Sequence, residues 1–337
     1  MTPRPRNARS GACLFERLLP DVRLFLFASK RAMSRYAIMS AMKRIVLFLV
    51  TNLAVMLTLG IVANVLCAVL GTSVAELVGP EWANLLIFAF VYGLVGAFIS
   101  LLLSKPMAKM ACGARTIDGS EGESERWLVA TVEDLARRAG VNTPEVAIYP
   151  GAANAFATGA FKNHALVAVS TDIMGQMSKE ELRAVLGHEM SHVANGDMVT
   201  LTLVQGVLNA FVIVISRVLA SVLANAGKGE GERRRDSGGL YFLLVMVLQL
   251  ALGILASLVV FWFSRKREYA ADAGSARLLG TPSPMIAALR RLGNLQPGVL
   301  PDSLKAMGIA EGKKTSVWST HPALEDRIAA LQNLTVG

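Results

Sequence analysis

The sequence predicts an α-helical multi-pass membrane protein with about four transmembrane segments and a water-facing α+β part. The first observation is composition: 53% of the 337 residues are hydrophobic and only 18% are charged. The second is a mean hydropathy of +0.47, which is too apolar for an ordinary soluble domain. The third is that charge returns between residues 107 and 198, where the apolar runs shorten as in a water-soluble fold.

Charge and cysteine content bear on two other classes of protein. The net charge is +9, but the basic residues cluster beside apolar runs without aromatic interleaving, so we expect no nucleic-acid partner. We interpret the positive charge as a signal of membrane orientation instead. The cysteines Cys13, Cys67 and Cys112 are odd in number and widely spaced, so neither a disulfide framework nor a cysteine zinc site is predicted.

Residues 1–42 form a basic N-terminal extension that is rich in arginine. A transit peptide has a similar composition, yet the chain from Met42 is a self-sufficient start, because Lys43 and Arg44 lead directly into a long apolar run. Two interpretations remain: a disordered basic tail, or a start codon assigned too far upstream. We expect the second, with Met39 or Met42 as the real first residue.

Residues 43–106 are predicted to form a transmembrane hairpin. The chain is mainly apolar from Ile45 to about Gly71, which exceeds a signal-peptide core and is long enough to cross a bilayer. A second apolar run extends from about Trp82 to Leu103 and ends at Ser104-Lys105-Pro106. Basic residues flank the two ends of the hairpin and the linker at 72–81 is acidic, so the positive-inside rule places both ends in the cytoplasm.

Residues 107–198 are predicted to be a cytosolic part of the protein. Its predicted elements are a helix over Glu125–Ala139 that stops at Gly140, and two short strands over Val146–Tyr149 and Ala165–Ser170. Between the strands, Asn154–Gly159 consists of small and polar residues, and its composition favours a surface turn. His164 lies in a predicted hairpin turn, where we expect a solvated side chain.

The strongest chemical signal is His188-Glu189-Met190-Ser191-His192. Ser178 followed by Glu181 predicts a capping box that starts a helix through this motif. Histidines four residues apart lie one turn above each other, so their ring nitrogens can bind one zinc ion. Glu189 can then take a proton from a water that the metal has acidified, which is the minimal apparatus for hydrolysing a peptide bond. The alternative is a solvent-facing helix that carries these residues by coincidence.

Residues 199–264 are predicted to form a second hydrophobic hairpin. It consists of apolar runs at about 198–226 and 240–263, a polar loop at 227–239, and a basic stop at Arg265-Lys266-Arg267. Such a stop implies a cytoplasmic end. Arg217 and the arginines of the loop leave two alternatives open, namely two full membrane spans or a hairpin that packs on the protein or dips into the interface. In both alternatives, the chain returns to the side of the membrane from which the hairpin starts.

Residues 265–337 are predicted to complete the zinc site. A catalytic zinc needs a third protein ligand and one open position for water, and Glu268 is the candidate because the hairpin returns it beside His192. Glu268 to Asp272 are predicted to be the first turns of another helix, so Asp272 lies one turn after Glu268 and can accept a hydrogen bond from the far ring nitrogen of a zinc-bound histidine. Alternatively, both acids only neutralise the basic residues before them. His321 is either a rival ligand or a hydrogen-bond donor to the oxyanion that forms on the amide.

These motifs together resemble those of the HtpX heat-shock membrane metalloproteases, which share a gluzincin superfamily with the CAAX prenyl-protein proteases. The resemblance covers the chain from about Met42 onward, and it rests on three segments: His188 to Asp197, Glu268 to Asp272, and Ser319 to Pro322. It implies a cytosolic α+β gluzincin-like zinc peptidase domain. One Zn²⁺ per chain would be held by His188, His192 and Glu268.

The resemblance also implies the remaining roles. Glu189 matches the general base, His321 the histidine that stabilises the transition state, and Arg327 its support. Asn154, together with Ala155, matches the position where the family holds the substrate backbone against an edge strand. The implied function is endoproteolysis of misfolded or damaged membrane proteins at the bacterial cytoplasmic membrane under heat or envelope stress. Membrane lipid and other membrane quality-control proteases are the expected partners.

Three rival classes fit the sequence less well. A metzincin needs glycine at position 195 and histidine at 198, where this chain has Asn195 and Met198. An intramembrane site-2 protease buries its zinc motif within a membrane helix, whereas charged Glu180 and Glu181 precede the motif here. A non-proteolytic membrane scaffold or small transporter with a structural metal site explains the apolar runs. It does not explain why the strong polar motifs lie at matching membrane-proximal positions.

Overall fold

The computed structural model describes residues 82–226, 238–295, 309 and 319–335, together with positions 61 and 65. All of these residues belong to one compact unit, Leu59–Gly337. The predicted basic extension, nearly all of the first apolar run and most of the polar loop at 227–239 lie outside the described residues, so the predictions for them remain predictions.

Helices dominate the described part of the chain, and they surround one small sheet. In chain order the elements are α1 (Trp82–Cys112), β1 (Arg115–Ile117), α2 (Glu123–Ala139), β2 (Glu145–Tyr149), β3 (Ala155–Thr158), β4 (Leu166–Ser170), α3 (Thr171–Gln176), α4 (Lys179–Asn195), α5 (Asp197–Asn225), α6 (Gly238–Leu279), α7 (Ser283–Asn294) and α8 (Leu324–Gln332). The predicted α+β character of the polar part is therefore present.

Three described helices are long and apolar enough to cross a membrane: Ala83–Cys112, Asp197–Asn225 and Gly239–Leu279. Large apolar side chains stay exposed along them, for example Phe98 at 49% and Leu250 at 69% of their surface. An extended exposed apolar surface is a liability in water but is expected of helices that face lipid. The described residues thus contain three of the four predicted apolar segments, each as a helix.

α1 continues beyond the point where the sequence predicts its end. The segment Ser104-Lys105-Pro106 was expected to end the helix, yet α1 runs to Cys112 with Pro106 inside it. Lys105 Nζ and Lys109 Nζ lie 2.9 and 2.7 Å from Glu145 Oε2 at the start of β2. Contacts of this kind with the sheet stabilise the turns after the proline, although proline itself donates no backbone hydrogen bond.

α6 is one continuous helix of 42 residues, whereas the sequence predicts a new helix at Glu268. The basic stop ends the apolar surface but not the helix, because no glycine or proline interrupts the chain between Phe263 and Glu268. The basic side chains find polar partners: Arg265 Nη1 donates to Ser319 O at 2.9 Å, and Arg267 Nε lies 3.3 Å from Asp197 Oδ2. The same rigid element therefore carries a membrane span and a part of the site.

The sheet has the strand order β1-β2-β4-β3, in which β2 and β4 are parallel and the other two pairs are antiparallel. The surface turn that composition favours for Asn154–Gly159 is wrong, since Ala155–Thr158 forms the buried edge strand β3. Alanine has little intrinsic preference for strands, so pairing with β4 and burial decide the conformation. The edge strand that the family resemblance implies is thus present, and His164 is exposed as expected.

α4 lies at the centre of the polar part. The predicted capping box is present, since Ser178 N donates to Glu181 Oε2 at 2.8 Å and Glu181 N donates to Ser178 Oγ at 3.2 Å. The helix ends at Gly196, whose φ of 67° is left-handed. Nearly all of its second half is buried, including both histidines, so the alternative of a solvent-facing helix is wrong.

Candidate metal centre and active site

Two of the predicted metal ligands lie on α4, one helical turn apart. The Nε2 atoms of His188 and His192 are 3.1 Å from each other, and the two rings meet edge to face. Their side chains are buried, with 1% and 8% of the residue surface exposed. The spacing of four residues therefore brings both imidazoles to one point, as the helical period requires.

The third predicted ligand reaches this point from α6. Glu268 Oε2 lies 3.4 Å from His188 Nε2, and Glu268 Oε1 lies 3.3 Å from His192 Nε2. One ligand atom from each of the three residues lies within 4.8 Å of the other two. The carboxylate is buried as well, with 3% of the residue exposed.

The spacing and the chemistry of this group fit zinc. With tetrahedral geometry and zinc–ligand bonds of about 2.0–2.1 Å, ligand atoms lie roughly 3.3–3.4 Å apart. The separations found here, 3.1, 3.3 and 3.4 Å, are close to that value. Two imidazoles and one carboxylate are also a donor set of catalytic zinc sites, in which a fourth position stays open for water.

Each histidine contacts the carboxylate of an aspartate through Nδ1, the ring nitrogen on the side away from the candidate metal position. His188 Nδ1 lies 2.8 Å from Asp272 Oδ1, as the sequence predicts, and His192 Nδ1 lies 2.6 Å from Asp197 Oδ2. An Nδ1–H that donates to a carboxylate leaves Nε2 as the lone-pair atom that faces a metal. Sequence reasoning missed the role of Asp197, although an acid five residues after His192, directly behind the helix-ending Gly196, was a visible signal.

Two arginines lie against these carboxylates. Arg327 is completely buried, and it donates to Asp272 through Nε at 2.8 Å and Nη2 at 2.7 Å. Its Nη1 lies 3.5 Å from Glu268 Oε2. These contacts make Arg327 a partner of Asp272, the acid beside His188, and of Glu268, while its support of His321 stays a prediction. Arg267 forms a looser ion pair with Asp197, with Nε 3.3 Å from Oδ2.

His321 lies beside the candidate metal position rather than at a distance from it. Its Nδ1 is 2.9 Å from Glu268 Oε2, and the residue is 5% exposed. The hydrogen bond from Arg265 to Ser319 O fixes the segment that carries it. Within the described residues, the group that can hold one metal ion consists of His188, His192 and Glu268, without His321.

Glu189 lies between the histidines and the edge of the sheet. It is 1% exposed, and its carboxylate accepts a hydrogen bond from the backbone N–H of Ala157 on β3. Burial raises the pKa of Glu189, an effect that the neighbouring His188 and His192 only partly oppose. A carboxyl group with a raised pKa is suited to proton transfer near neutral pH.

The histidines themselves favour their charged forms in the metal-free protein. Burial lowers the pKa of His192, but the hydrogen bonds to Asp197 and Glu268 outweigh it and raise the pKa to about 10. For His188 burial likewise opposes the charge, and the bonds to Asp272 and Glu268 raise the pKa above its ordinary value. A metal cation must therefore displace protons from this site.

The edge strand offers two acceptors to a backbone N–H. Asn154 is 1% exposed, and its Oδ1 accepts hydrogen bonds from Ala155 N at 2.9 Å and from Ile309 N at 3.0 Å. Ile309 N also lies 3.1 Å from Ala155 O. Asn154 and Ala155, to which the resemblance assigns substrate binding, thus both accept a hydrogen bond from the backbone N–H of Ile309.

The candidate catalytic groups line one cavity, and its wall includes the first turns of the long apolar helix α5. The residues around it are Ala157, His188, Glu189, His192, Met198, Leu201, Thr202, Arg267, Glu268 and His321. Met198, Leu201 and Thr202 belong to α5. The site is therefore built from the edge strand β3, the helix α4, the two long apolar helices α5 and α6, and the segment that carries His321.

The chain is similar to known peptidases. The chain matches the family model "Peptidase family M48" over residues 123–335. It is 54% identical over 296 residues to "Protease HtpX homolog" of Verminephrobacter eiseniae, covering 87% of this chain and 99% of that protein. The relative of the same name in Paracidovorax citrulli is 52% identical over 292 residues, with the same coverage. Among solved structures, S. mikatae Ste24p aligns with 84% of this chain and 66% of its own, at 19% identity and a TM-score of 0.49.

Proposed function

Because this chain belongs to peptidase family M48, we propose that it is a membrane-bound zinc-dependent endopeptidase of protein quality control. Its class, a metallopeptidase with membrane helices, follows from the family and from the three long apolar helices. The identity of the metal, the roles of the residues and the substrates are the proposal. The observation that carries it is the convergence of His188, His192 and Glu268 beside Glu189.

His188, His192 and Glu268 would hold the Zn²⁺. When bound, zinc supplies Lewis acidity, which polarises the peptide carbonyl and acidifies the attacking water. Asp272 and Asp197 keep the two imidazoles in the tautomer that presents Nε2. The arginines behind these acids compensate their negative charge, which is costly to bury alone.

Glu189 acts as the general base and then as the general acid. It accepts the proton of the attacking water and delivers it to the leaving nitrogen of the cleaved amide. Its raised pKa supports the first step, because a carboxylate with a higher pKa is a stronger base and its pKa lies closer to the operating pH. His321, across the same cavity, donates a hydrogen bond to the oxyanion that develops on the carbonyl.

Asn154 and Ala155 bind the substrate main chain. Asn154 Oδ1 and Ala155 O accept one backbone N–H, and the amide of Ile309 already makes both bonds. This internal contact supports the assignment, since it demonstrates that the two oxygens suit a peptide N–H. The neighbouring Ala157 N–H contacts Glu189, so a peptide along this edge passes directly in front of the base.

The substrates we propose are misfolded or damaged membrane proteins. Support comes from position: His192 lies five residues before the start of α5, and Glu268 follows Phe263 by five residues in α6. The site-proximal ends of α1 and α6 carry Lys105, Lys109 and Arg265 to Arg267, which favours the cytosolic side of the bacterial cytoplasmic membrane. Membrane lipid contacts the apolar helices, and other membrane quality-control proteases would share the substrates.

Replacement of the base tests the proposal directly. In Glu189→Gln we expect cleavage of a misfolded membrane substrate to fall by about 100-fold or more, because proton transfer by a positioned group contributes that much. Metal analysis should find zinc retained, since Glu189 is not a ligand. Glu180→Gln, an exposed acid on the same helix, is the matched control and should stay active. Unchanged proteolysis in Glu189→Gln would show that the base is assigned wrongly.

The third ligand has its own test. Glu268→Gln keeps the size of the side chain but removes its charge, so we expect a clear loss of bound zinc together with activity. Full zinc occupancy in this variant would mean that another residue completes the site. The membrane scaffold and the small transporter are less well supported than the peptidase, because neither requires a base beside the metal ligands.

A further inference from the structure

The helices that carry the three metal ligands approach each other through two glycine–serine contacts. A Cβ built on Gly187 of α4 would lie 2.9 Å from Ser275 Oγ and 3.5 Å from Ser275 Cα of α6. A Cβ built on Gly274 of α6 would lie 2.7 Å from Ser191 Cβ of α4. Each helix thus offers one glycine to the serine of the other, and neither glycine has room for a side chain.

Both serines are held in place by hydrogen bonds. Ser275 is fully buried, and its Oγ–H donates to Ala184 O on α4 at 2.8 Å, which joins the two helices. Ser191 is 5% exposed, and its Oγ–H donates to Gly187 O at 2.7 Å within α4. A serine that moved away from a new methyl group would break its bond inside a buried region.

These contacts adjoin the ligands in the sequence and in space. His188 follows Gly187 directly, and His192 follows Ser191 directly. On α6, Gly274 lies two residues after Asp272, the acid that holds His188. The closeness of the helices at the crossing therefore determines how far the carboxylates of α6 lie from the imidazoles of α4.

We propose that Gly274 and Gly187 are positioning residues that set the separation of α4 and α6 and thereby the spacing of the metal ligands. This inference rests on the proposed metal site. The displacement that a substitution causes follows from van der Waals distances. Carbons not bonded to each other pack at about 3.5–4.0 Å, so a methyl group 2.7 Å from Ser191 Cβ requires a shift of roughly 1 Å. Metal–ligand distances tolerate only about 0.2 Å.

The test is zinc affinity in the purified full-length protein in detergent, measured by competition with a chelator. Gly274→Ala should weaken zinc binding by about 10-fold or more, in the range known for outer contacts of metal ligands. Helix propensity alone predicts that Gly274→Ala makes α6 more stable, because alanine is a better helix former than glycine. A general gain in helix stability would therefore not reproduce the expected loss.

Compensating variants separate positioning from damage to the fold. Ser191→Gly removes the Cβ that the new methyl group meets, so the double variant Gly274→Ala with Ser191→Gly should regain most of the affinity. Ser191→Ala keeps that Cβ and should rescue poorly. Gly253→Ala is the control on α6, because a Cβ there has nothing within 4 Å, and its zinc affinity should be unchanged. Gly187→Ala with and without Ser275→Gly repeats the test at the other contact.

The results distinguish this inference from the proposed function. If the unmodified protein binds zinc and Gly274→Ala binds it equally well, the positioning role is overturned while the zinc peptidase stands. A loss of affinity that Ser191→Gly fails to restore also overturns it. If the unmodified protein binds no zinc, the proposed function itself fails. Restored affinity in the double variant, with Gly253→Ala unaffected, supports the positioning role.

Discussion

Two linear chains of charged contacts hold the metal ligands of α4. They are Arg327–Asp272–His188 and Arg267–Asp197–His192. In each chain the acid accepts from Nδ1 of the histidine and is itself neutralised by a guanidinium. A carboxylate in this position fixes the ring and increases its basicity, so we expect both acids to contribute to zinc affinity at the proposed site without being ligands.

The role of Asp197 can be measured with a single substitution. In Asp197→Asn we expect zinc affinity to fall by about 10- to 100-fold, because the amide holds the His192 ring less strongly than a carboxylate does. Chelator competition provides the measurement, and Asp172→Asn, an exposed acid on α3, is the matched control. Equal affinity in both variants would exclude Asp197 from the metal site.

The raised pKa of His192 predicts a pH dependence of the metal-free protein. A histidine whose pKa is raised by folding stabilises the folded state fully below its unfolded pKa of about 6.5. That contribution is lost as pH rises through the folded value of about 10. We therefore expect the melting temperature of the protein stripped of metal to fall between these pH values, and to fall less in Asp197→Asn. Zinc affinity has the opposite trend and increases with pH, because binding releases protons. A melting temperature that rises across the window would contradict the assignment.

At the scale of secondary structure, local sequence signals predicted the helix α4 but not the edge strand β3. Ser178, Glu181 and the apolar period determine α4 locally, and the structure reproduces its cap and its buried face. β3 has a weaker local signal, since Phe156 and Thr158 favour strands but its two alanines do not, and pairing with β4 fixes its conformation. The contact of Asp197 with His192 was missed because it depends on the direction in which α5 continues after Gly196. Composition also predicted a wrong helix boundary in α6, because the basic residues end the apolar surface but not the helix.

The acceptors on the edge strand lead to a kinetic prediction. Asn154→Ala removes one of the two oxygens that hold a backbone N–H, so kcat/KM should fall by roughly 3- to 10-fold, the value of one hydrogen bond. We expect the change mainly in KM, with zinc content unaffected. Steady-state kinetics on a peptide substrate measure it, and Asn163→Ala, an exposed position before β4, is the control. An unchanged KM would remove Asn154 from the substrate site.

At the scale of the whole molecule, α1, α5 and α6 combine membrane length with contacts to the polar part. The loop that joins α5 to α6 carries Arg233 to Arg235, offset by Glu230, Glu232 and Asp236. Two full crossings place this loop on the side opposite to the active site. The helical lengths of 29 and 42 residues exceed the 20 or so residues that a bilayer requires, which favours two spans over an interfacial hairpin.

Cysteine labelling in spheroplasts distinguishes these topologies. After replacement of the native cysteines, Ser237→Cys in the loop should react with an impermeant maleimide while the membrane is intact. Ser120→Cys, an exposed position between β1 and α2, should react only after permeabilisation. Equal protection of both positions would mean that the second hairpin does not cross the membrane.

The continuity of α6 sets the distance between the end of its apolar surface and Glu268, the proposed metal ligand. At 1.5 Å per residue, the five residues from Phe263 to Glu268 rise about 7.5 Å along the helix axis. An extended chain that leaves the same bilayer covers this distance in two or three residues. Under the proposed function, distance from the lipid would then select substrates. A membrane protein whose folded domain begins directly at the lipid offers no free chain at that height, whereas one whose domain has unfolded exposes the peptide next to its membrane segment.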